Sequence, residues 1–244
     1  MIFVFDLDGT ICFKGRPLTE EICAALDMCT IHGHEVVFAS ARPIRDMLPV
    51  LPKRYYHYRM VGGNGAFTFV KGDVQLQSFS EQTIAELKTI IEKYNLQYLI
   101  DSDWDYSFTG EESHPIYQNL DPLKTATNKP LTELHSISKA VLFTNNEEIK
   151  EHLKKLPVTL YEHGDEGLID ISPQNVHKVA GLQRLGIEPN TYIAFGNDQN
   201  DQELFQHAHY SVCVGNHDVA QFANEQIMVE DVPQRIKQLA KKFS

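Results

Sequence analysis

The chain has 244 residues, and its 33 acidic against 22 basic side chains give a formal net charge of −11 and a pI near 5.4. An acidic surface repels polyanions, so neither nucleic acid nor an anionic membrane is expected as the main partner. We expect a small molecule instead, since a phosphate pocket can be locally positive within such a surface. The length suits one large domain or two modest ones.

The cysteines, the histidines and the first residues exclude further classes of protein. The four cysteines form no CxxC pair and the eleven histidines form no HExxH motif, so a zinc site is not expected. The apolar run 1–5 ends at Asp6 without a basic segment before it, so we expect neither a signal peptide nor a membrane span. Sparse cysteines are typical of the reducing cytoplasm, which is the predicted location, and we expect a monomer or a weak homodimer.

The first ten residues carry the clearest indication of chemistry. Residues 1–5 are apolar without alternation, as in a strand buried on both faces of a parallel sheet. Asp6 and Asp8 follow at the strand end, where open α/β sheets bind ligands. Mg²⁺ would relieve the repulsion between these carboxylates, leaving one Asp6 oxygen to attack phosphorus and Asp8 to deliver a proton. The alternative is a turn in which both acids cap the next element.

A helix and a second strand follow. Thr19 can cap a helix whose apolar residues recur at i, i+3, i+4 and i+7, namely Ile22, Ala25, Leu26 and Cys29. Residues 34–39 are typical of a parallel strand. These elements predict a right-handed βαβ unit that begins with the first strand.

Polar residues also follow the second strand. The Ser40 hydroxyl and nearby backbone N–H groups could hold a phosphate oxygen, or Ser40 could be the N-cap of a short helix over 44–51. Arg42 could pair with a substrate phosphate or carboxylate, or form a salt bridge with Asp46. Ser40 and Arg42 are therefore candidates for substrate binding.

The pattern changes after a strand at 58–61 and a hairpin of 67–70 with 74–79. The elements predicted next are helix 80–93, strands 96–100 and 140–143, helix 147–156, and a hairpin of 158–162 with 168–171 that turns at 164–167. They predict a small α+β domain inserted at 83–172. Its aromatic and imidazole rings could contact substrate or form the domain's own core: Trp104, Tyr106, Phe108, His114 and Tyr117.

The remainder returns to α/β alternation, so we expect a discontinuous core domain of residues 1–82 and 173–244. The elements predicted there are helix 176–185, strand 192–195, helix 202–208, strand 210–214 and a helix from 232. Lys178 lies in the first of these helices, where a lysine is ordinarily solvated. Residues 196–201 follow a strand and offer amide and carboxylate oxygens suited to Mg²⁺, although such residues are also ordinary turn formers.

Four segments, in this order, resemble the motifs of the haloacid dehalogenase (HAD) superfamily. They are Asp6-Leu7-Asp8-Gly9-Thr10, Ser40, Lys178 and Gly196-Asn197-Asp198-Gln199-Asn200-Asp201. The resemblance implies an α/β fold with a Rossmann-like parallel-sheet core. An insert between the second and third motifs resembles the α+β cap domain, of C2B type, of the Cof-type (IIB) phosphatases.

The resemblance implies roles for individual residues. Asp6 would be the nucleophile and Asp8 the general acid/base. The residues implied to bind Mg²⁺ are Asp6, Asp8, Asn197 and Asp201. The residues implied to bind substrate are Ser40, Arg42, Asn64, Lys178 and Asn200. Asn64 lies in Gly63-Asn64-Gly65-Ala66, which matches a stretch of that subgroup but also suits an ordinary turn.

The chain departs from the family pattern at Asn197, where relatives have Asp, and at Ala41, where they usually have Gly. An amide oxygen coordinates Mg²⁺ without charge, so we expect weaker metal binding unless Asp198 or Asp201 compensates. The resemblance implies a Mg²⁺-dependent phosphatase that hydrolyses small phosphomonoesters, such as sugar phosphates, through an aspartyl-phosphate, with the cap closing over the site. The alternatives are a sugar phosphomutase and a non-catalytic protein that binds a phosphorylated metabolite.

Overall fold

The structure is a computed structural model that describes residues 1–163 and 167–244. The chain divides into two compact units, which we call the core (residues 1–74 and 177–244) and the cap (residues 75–176). The domain boundaries expected from the sequence, at 82/83 and 172/173, stay a prediction. No helix in the described part of the chain is both long and apolar enough to span a membrane.

The strands are β1 Ile2–Phe5, β2 Glu35–Ala39, β3 Met60–Gly62, β4 Phe67–Val70, β5 Asp73–Leu76, β6 Tyr98–Asp101, β7 Tyr106–Phe108, β8 Lys139–Phe143, β9 Val158–His163, β10 Leu168–Pro173, β11 Tyr192–Gly196, β12 Tyr210–Val214 and β13 Glu225–Ile227. The α-helices are α1 Glu20–Ile31, α2 Ile44–Met47, α3 Glu81–Tyr94, α4 Pro115–Asn119, α5 Glu147–Leu153, α6 Lys178–Arg184, α7 Gln202–Gln206 and α8 Val232–Lys242. Short 3₁₀ turns connect several of them.

The core contains a sheet of order β13-β12-β11-β1-β2-β3-β4-β5, in which β13 to β3 run parallel and β4 runs antiparallel to β3. Strand β1 is central and pairs with β11 and β2, so that Phe5 lies between Phe195 and Phe38. Parallel strands in this register end at the same edge of the sheet. That edge therefore carries the polar residues that follow β1, β2 and β11.

Helix α1 shows how the sequence determines a core element. The Thr19 hydroxyl accepts a hydrogen bond from the Ile22 N–H at 3.3 Å, which satisfies one of the free donors at the helix start. The helix buries Ile22 and Leu26 on one face, and it packs against α8. Full burial of each of these two side chains contributes roughly 1.5–3 kcal/mol. The predicted cap and the predicted apolar face are both confirmed.

The cap contains an antiparallel sheet of order β7-β6-β8-β10-β9. One face packs against α3 and α5 through a cluster of apolar side chains that includes Ile100, Leu142 and Ile169. The opposite face carries a smaller apolar cluster at one end, formed by Leu99, Phe108, Leu120, Val141 and Leu168. Its other end carries the polar side chains Asp101, Lys139, Asp170 and Ser172, because alternate residues of a strand share a face.

Several predicted elements differ from the structure in length or number. The helix predicted over 44–51 is α2 followed by a 3₁₀ turn at Leu48–Val50, where Pro49 lacks the N–H that an α-helix needs. The second hairpin strand is Asp73–Leu76, not 74–79. Strands β7 and β13 and helix α4 were not predicted, because three to five residues are too few to establish a period. The predicted turn at 164–167 falls largely on residues outside the described ones.

Candidate active site

Asp6 directly follows β1 and lies at the centre of the polar edge. Its backbone N–H donates to the Phe195 carbonyl at 2.9 Å, so it continues the pairing of β1 with β11. Its carboxylate is buried, and its Oδ2 accepts a hydrogen bond from the Thr10 hydroxyl at 2.9 Å. Gly9 closes the turn with φ near 80°, and a Cβ there would clash with the Asn197 side chain. The first motif is therefore packed against the loop that follows β11.

Lys178 joins two buried carboxylates. Its Nζ lies 2.6 Å from Asp6 Oδ1 and 2.6 Å from Asp201 Oδ1, and only 1% of its side chain is exposed. Helix α6 brings the lysine there because Gly65 and Gly181 let the helix approach β3 and the following turn more closely than a Cβ would allow. The solvated alternative for Lys178 is therefore wrong.

The pKa values of this group reflect burial opposed by ion pairing. Burial raises the pKa of Asp6 to about 7, and Asp201 adds to the rise, while Lys178 and Thr10 act in the opposite sense. Burial lowers the pKa of Lys178, but Asp201 and Asp6 outweigh burial and hold it above its ordinary value. Lys178 is therefore charged across the physiological pH range. Asp6 is the group of this site that gains or loses a proton near pH 7.

Asp201 is fully engaged in the loop that follows β11. Its Oδ2 accepts from the backbone N–H groups of Asn197 at 3.0 Å and Asp198 at 3.2 Å, and its Oδ1 receives Lys178. A Cβ on residue 196 would strike the Asp201 carboxyl group, so Gly196 is required for this packing. The geometry gives Asp201 a positioning role for Lys178 and the loop, and it leaves Asp201 little capacity as a direct metal ligand.

Asn197 faces Asp6 and the backbone of Asp8. With its amide nitrogen turned towards them, it donates to the Asp8 carbonyl oxygen at 2.8 Å, to Thr10 Oγ1 at 2.8 Å and to Asp6 Oδ2 at 3.1 Å. Asp6 Oδ2, the Asp8 carbonyl and the Asn197 side chain thus converge on one point. In the described part of the chain, no three His, Cys, Asp or Glu side chains form a metal cluster.

This donor set fits Mg²⁺ if the Asn197 amide oxygen turns towards the cation. One carboxylate, one backbone carbonyl and one amide oxygen are hard ligands, which Mg²⁺ prefers and completes with water or phosphate oxygens. The set contains the backbone of Asp8 and not its carboxylate. Of the four residues implied to bind the metal, Asp6, Asp8 and Asn197 are placed to do so directly.

The Asp8 carboxylate is held by Arg42. Arg42 Nε and Nη2 each lie 2.6 Å from one Asp8 oxygen, and Nη1 donates to the backbone carbonyl of Asp46 at 3.2 Å. Such bidentate pairs are among the stronger charge-assisted hydrogen bonds. The alternative of an Arg42–Asp46 salt bridge is wrong, because the Asp46 carboxylate pairs with Arg45 at 2.8 Å.

The remaining predicted residues lie beside the second strand. Ser40 continues β2 by donating its N–H to the Val61 carbonyl at 2.8 Å, and its hydroxyl accepts from the Arg42 N–H at 3.1 Å. It is not the N-cap of α2, which begins after Pro43. Asn64 adopts a left-handed conformation with φ 54°, and its Oδ1 accepts from Asn200 Nδ2 at 3.0 Å. Asn64 is thus both a turn residue and a partner of the fourth motif.

The rings of the cap that were candidates for substrate contact mostly support the cap itself. Phe108 is buried with its ring centroid 5.4 Å from that of Tyr117. Trp104 Nε1 donates to the Thr125 carbonyl at 3.0 Å, and His114 caps α4 by accepting from the Ile116 N–H. Tyr106 and Tyr117 also line an open cavity of about 670 Å³ within the cap. The interpretation as the domain's own core therefore holds for Phe108.

Sequence reasoning did not single out Thr10 and Gly196. Thr10 belongs to the first motif without a predicted role, yet its buried hydroxyl donates a hydrogen bond to Asp6. Gly196 begins the fourth motif without a predicted role, yet it makes room for Asp201. Their position directly beside the candidate acids was the one available signal.

A buried lysine between two carboxylates, beside oxygen ligands at the carboxyl end of a central parallel strand, defines a site for handling phosphoryl groups. The chain belongs to the haloacid dehalogenase-like hydrolase family, whose model matches residues 3–231. The predicted family is thereby confirmed.

The relatives include the 5-amino-6-(5-phospho-D-ribitylamino)uracil phosphatase YitU of Bacillus subtilis, 24% identical over 88% of this chain and 86% of that protein. The HMP-PP phosphatase of Shigella flexneri is 23% identical over 88% of this chain and 84% of that protein. Among solved structures, the HAD subclass IIB sugar phosphatase BT4131 matches with a TM-score of 0.79 and 20% identity, over 99% of this chain and 98% of that one.

The predicted fold class, a Rossmann-like α/β core with an inserted α+β cap domain, is confirmed by this similarity. The predicted enzyme class is confirmed as well. The chain is a hydrolase of the HAD phosphatase type.

Proposed function

We propose that the protein is a Mg²⁺-dependent phosphatase that hydrolyses small phosphomonoesters through an aspartyl-phosphate on Asp6. The observation that carries this proposal is the placement of the buried Asp6 carboxylate, with one oxygen 2.6 Å from Lys178 and the other facing the Asp8 carbonyl and Asn197. Lysine and cation together would keep Asp6 ionised and offset the charge of an incoming phosphate. These are the two conditions that attack by a carboxylate on phosphorus requires.

The reaction would proceed in two displacements at phosphorus. An Asp6 oxygen forms a bond to phosphorus while the bond to the ester oxygen breaks, and Asp8 gives its proton to the departing alcohol. Asp8 then takes a proton from the water that attacks the aspartyl-phosphate, which releases phosphate and restores Asp6. Both Asp8 oxygens accept hydrogen bonds from Arg42, so the proton transfers require that this pair opens.

The phosphoryl oxygens would be held by groups at the same sheet edge. We assign Ser40 and Lys178 to them, with Arg42 available to the phosphate once it releases Asp8. The buried Asn200 Oδ1 finds no hydrogen-bond partner among the described residues, so the Asn64–Asn200 pair retains capacity for a substrate donor. Mg²⁺ at Asp6, the Asp8 carbonyl and Asn197, when bound, would neutralise charge on the transferred group. Asp201 would act through Lys178.

Small phosphorylated metabolites are the substrate class that we propose. The acidic surface disfavours polyanionic partners, and the similar proteins are named as phosphatases of a ribitylaminouracil phosphate, of HMP-PP and of sugar phosphates. We propose a cap that closes over the site and excludes water while the aspartyl-phosphate forms. The cytoplasmic location and the monomeric or weakly dimeric state stay predictions.

The test is phosphate release from a panel of small phosphomonoesters, with Mg²⁺ and with chelator. We expect release that depends on Mg²⁺ and is lost in Asp6→Asn, because an amide cannot form the acyl-phosphate. Asp73→Asn makes the same change at an exposed aspartate of the core and should retain activity. Isomerised sugar phosphate without free phosphate would indicate the mutase. Ligand binding without turnover would indicate a sensor in which Asn197 replaces a metal-binding Asp.

A further inference from the structure

Helix α6 begins at Lys178, so the residue before it determines where the main chain of the lysine lies. The first N–H groups of a helix have no partner within it, and helix ends tend to fray. The His177 carbonyl accepts the first hydrogen bond of α6, from the Gly181 N–H at 3.1 Å. A Cβ on Gly65 would overlap that carbonyl, so the turn before β4 packs directly against it. His177 is therefore a point at which α6 is attached to the rest of the core.

The His177 ring connects α6 to helix α7. Its Nδ1 lies 2.7 Å from Glu203 Oε2 on α7 and 3.3 Å from the backbone nitrogen of Ala180. A ring nitrogen either carries a proton or accepts one, so these two hydrogen bonds exclude each other. The shorter distance favours a proton on Nδ1 that is donated to the Glu203 carboxylate. The ring therefore holds α7 more than it caps α6.

One short segment thus holds Lys178 at two points. Asp201, directly before α7, accepts from Lys178 Nζ at 2.6 Å, and Glu203, two residues later, bonds the residue that precedes the lysine. The first contact fixes the tip of the lysine side chain, and the second fixes its base. Because a lysine side chain is flexible, the position of Nζ is well defined only when both ends are held.

The alternative is an ordinary surface ion pair. The Glu203 side chain is 50% exposed and that of His177 is 30% exposed, and exposed pairs stabilise proteins little. We therefore expect this pair to contribute little to the overall stability. Its effect should fall on the placement of Lys178, which directly follows His177 and is buried.

We propose that His177 and Glu203 are positioning residues for phosphoryl transfer: their hydrogen bond holds the start of α6 so that Lys178 Nζ stays within reach of Asp6 and of the phosphoryl oxygens. This role rests on the proposed phosphatase function, in which Lys178 binds those oxygens, and both residues act only through the lysine. The negative charge that Lys178 offsets is greatest in the transition state. A looser Lys178 should therefore lower kcat more than it raises KM.

Two substitutions break this hydrogen bond with opposite changes of charge. His177→Asp keeps a strong N-cap residue before α6, but a carboxylate cannot donate to Glu203. Glu203→Ala removes the acceptor. Loss of one hydrogen bond to a charged group should lower kcat for p-nitrophenyl phosphate about 3- to 10-fold in each variant, with a smaller rise in KM. Because one variant adds a negative charge and the other removes one, a fall in both would follow from the bond and not from the charge.

His177→Asn and Glu203→Gln are the conservative variants. The amide nitrogen of Asn can donate from the place of Nδ1, and the amide oxygen of Gln can accept, so both should keep kcat within about twofold of the wild type. Glu86→Ala is the matched control. Glu86 Oε2 lies 3.5 Å from His152 Nε2, and this pair joins α3 and α5 of the cap with a similar exposure, so its loss should leave kcat unchanged.

The outcomes separate the positioning role from the phosphatase itself. An unchanged kcat in His177→Asp and Glu203→Ala, or an equal fall in Glu203→Gln and Glu203→Ala, would overturn the positioning role and leave the phosphatase intact. If His177→Asp does not fold, the comparison of Glu203→Ala with Glu203→Gln decides alone.

Absence of phosphate release from every ester would overturn the phosphatase, and calorimetric titration with inorganic phosphate and Mg²⁺ would then decide the positioning role. A Kd raised about twofold or more in Glu203→Ala but not in Glu203→Gln would support it. A Kd that is equal in both variants and the wild type, or the absence of binding, would overturn it.

Discussion

The core site and the polar end of the cap sheet both bury charged side chains, but they satisfy them differently. In the core, Lys178 bonds two carboxylates and Asp201 also accepts two backbone N–H groups. In the cap, Lys139 occupies one oxygen of Asp170, while Asp170 Oδ1 and Ser172 Oγ have no partner among the residues described. The group formed by Lys178, Asp6 and Asp201 is complete without ligand. The polar end of the cap sheet leaves two buried atoms without a partner among the described residues, so burial costs more there than in the Lys178 group.

The largest expected effect is on the completed core group. Lys178→Met leaves the buried Asp6 and Asp201 carboxyl groups without their cation, so we expect a loss of about 3–5 kcal/mol in the free energy of unfolding, together with loss of activity. Urea denaturation in the presence of a chelator measures the loss in the free energy of unfolding. Lys154→Met removes an exposed ion pair of similar length, with Glu151, and should change little. An equal loss in the free energy of unfolding for the two substitutions would show that the buried ion pairs of Lys178 contribute no more than the exposed pair of Lys154.

The next effect concerns pH and the cation. Burial raises the pKa of Asp6 from 3.8 to about 7. At a pH between these two values, Asp6 of the folded metal-free protein therefore holds a proton that the unfolded chain has released. The contribution of Asp6 to the free energy of unfolding is therefore present at low pH and is lost as the pH rises through about 7. Mg²⁺ binds the ionised form, so the rise in Tm on adding Mg²⁺ should be larger at pH 8 than at pH 5.5.

Asp6→Asn serves as the control for this pH dependence. An amide does not titrate, so the variant should lose the difference between the two pH values. If Mg²⁺ raises the Tm of the wild type equally at both pH values, a proton and the cation do not compete for Asp6. Calorimetric scans with and without Mg²⁺ at matched ionic strength measure the rise in Tm for both proteins at both pH values.

A smaller effect is expected at Asn197. Replacing the amide by a carboxylate adds a charged oxygen ligand, so Asn197→Asp should lower the Mg²⁺ concentration for half-maximal phosphate release by about tenfold. The variant also loses the amide hydrogen bond to the Asp8 carbonyl, so the metal-free protein should be less stable by about 1 kcal/mol. Asn216→Asp adds the same charge on an exposed loop and should leave the Mg²⁺ dependence unchanged. An unaltered midpoint in Asn197→Asp would remove Asn197 from the metal site.

The smallest effect compares two buried serines of the cap. Ser138→Ala removes a hydroxyl that reaches backbone carbonyls, so it should lower the free energy of unfolding by about 0.5–1 kcal/mol. Ser172→Ala removes a hydroxyl without a partner among the described residues, so it should cost no stability. Chemical denaturation without ligand measures both. A larger loss for Ser172→Ala would indicate a structural role for that hydroxyl.

Much of the fold could be predicted because its signals are local. An apolar run that ends in Asp6 and Asp8, and a helix capped by Thr19, can each be recognised within a few residues of sequence. Short elements could not. Strand β7 and helix α4 have three and five residues, and contacts with the rest of the cap stabilise them more than any intrinsic preference does.

Within the candidate site, the order of the motifs predicted which residues gather at the sheet edge, but not how they pair. The bond between Arg42 and Asp8 joins residues 34 apart, and that between Asn64 and Asn200 joins residues 136 apart. Neither hydrogen bond corresponds to a periodic pattern in the sequence. The same limit applies to Asp170, which lies in a strand predicted as an ordinary hairpin partner.

The sequence by itself determined the class of this protein, because residue types at strand ends carry the chemistry and their order along the chain is distinctive. Only the tertiary structure decided which charges are satisfied. Lys178 is bonded on both sides, Asp8 is held by Arg42, and Asp170 keeps a free oxygen among the described residues. The physical reason is that hydrogen bonding and burial depend on the spatial arrangement of residues distant in the chain, and a linear pattern does not contain that arrangement.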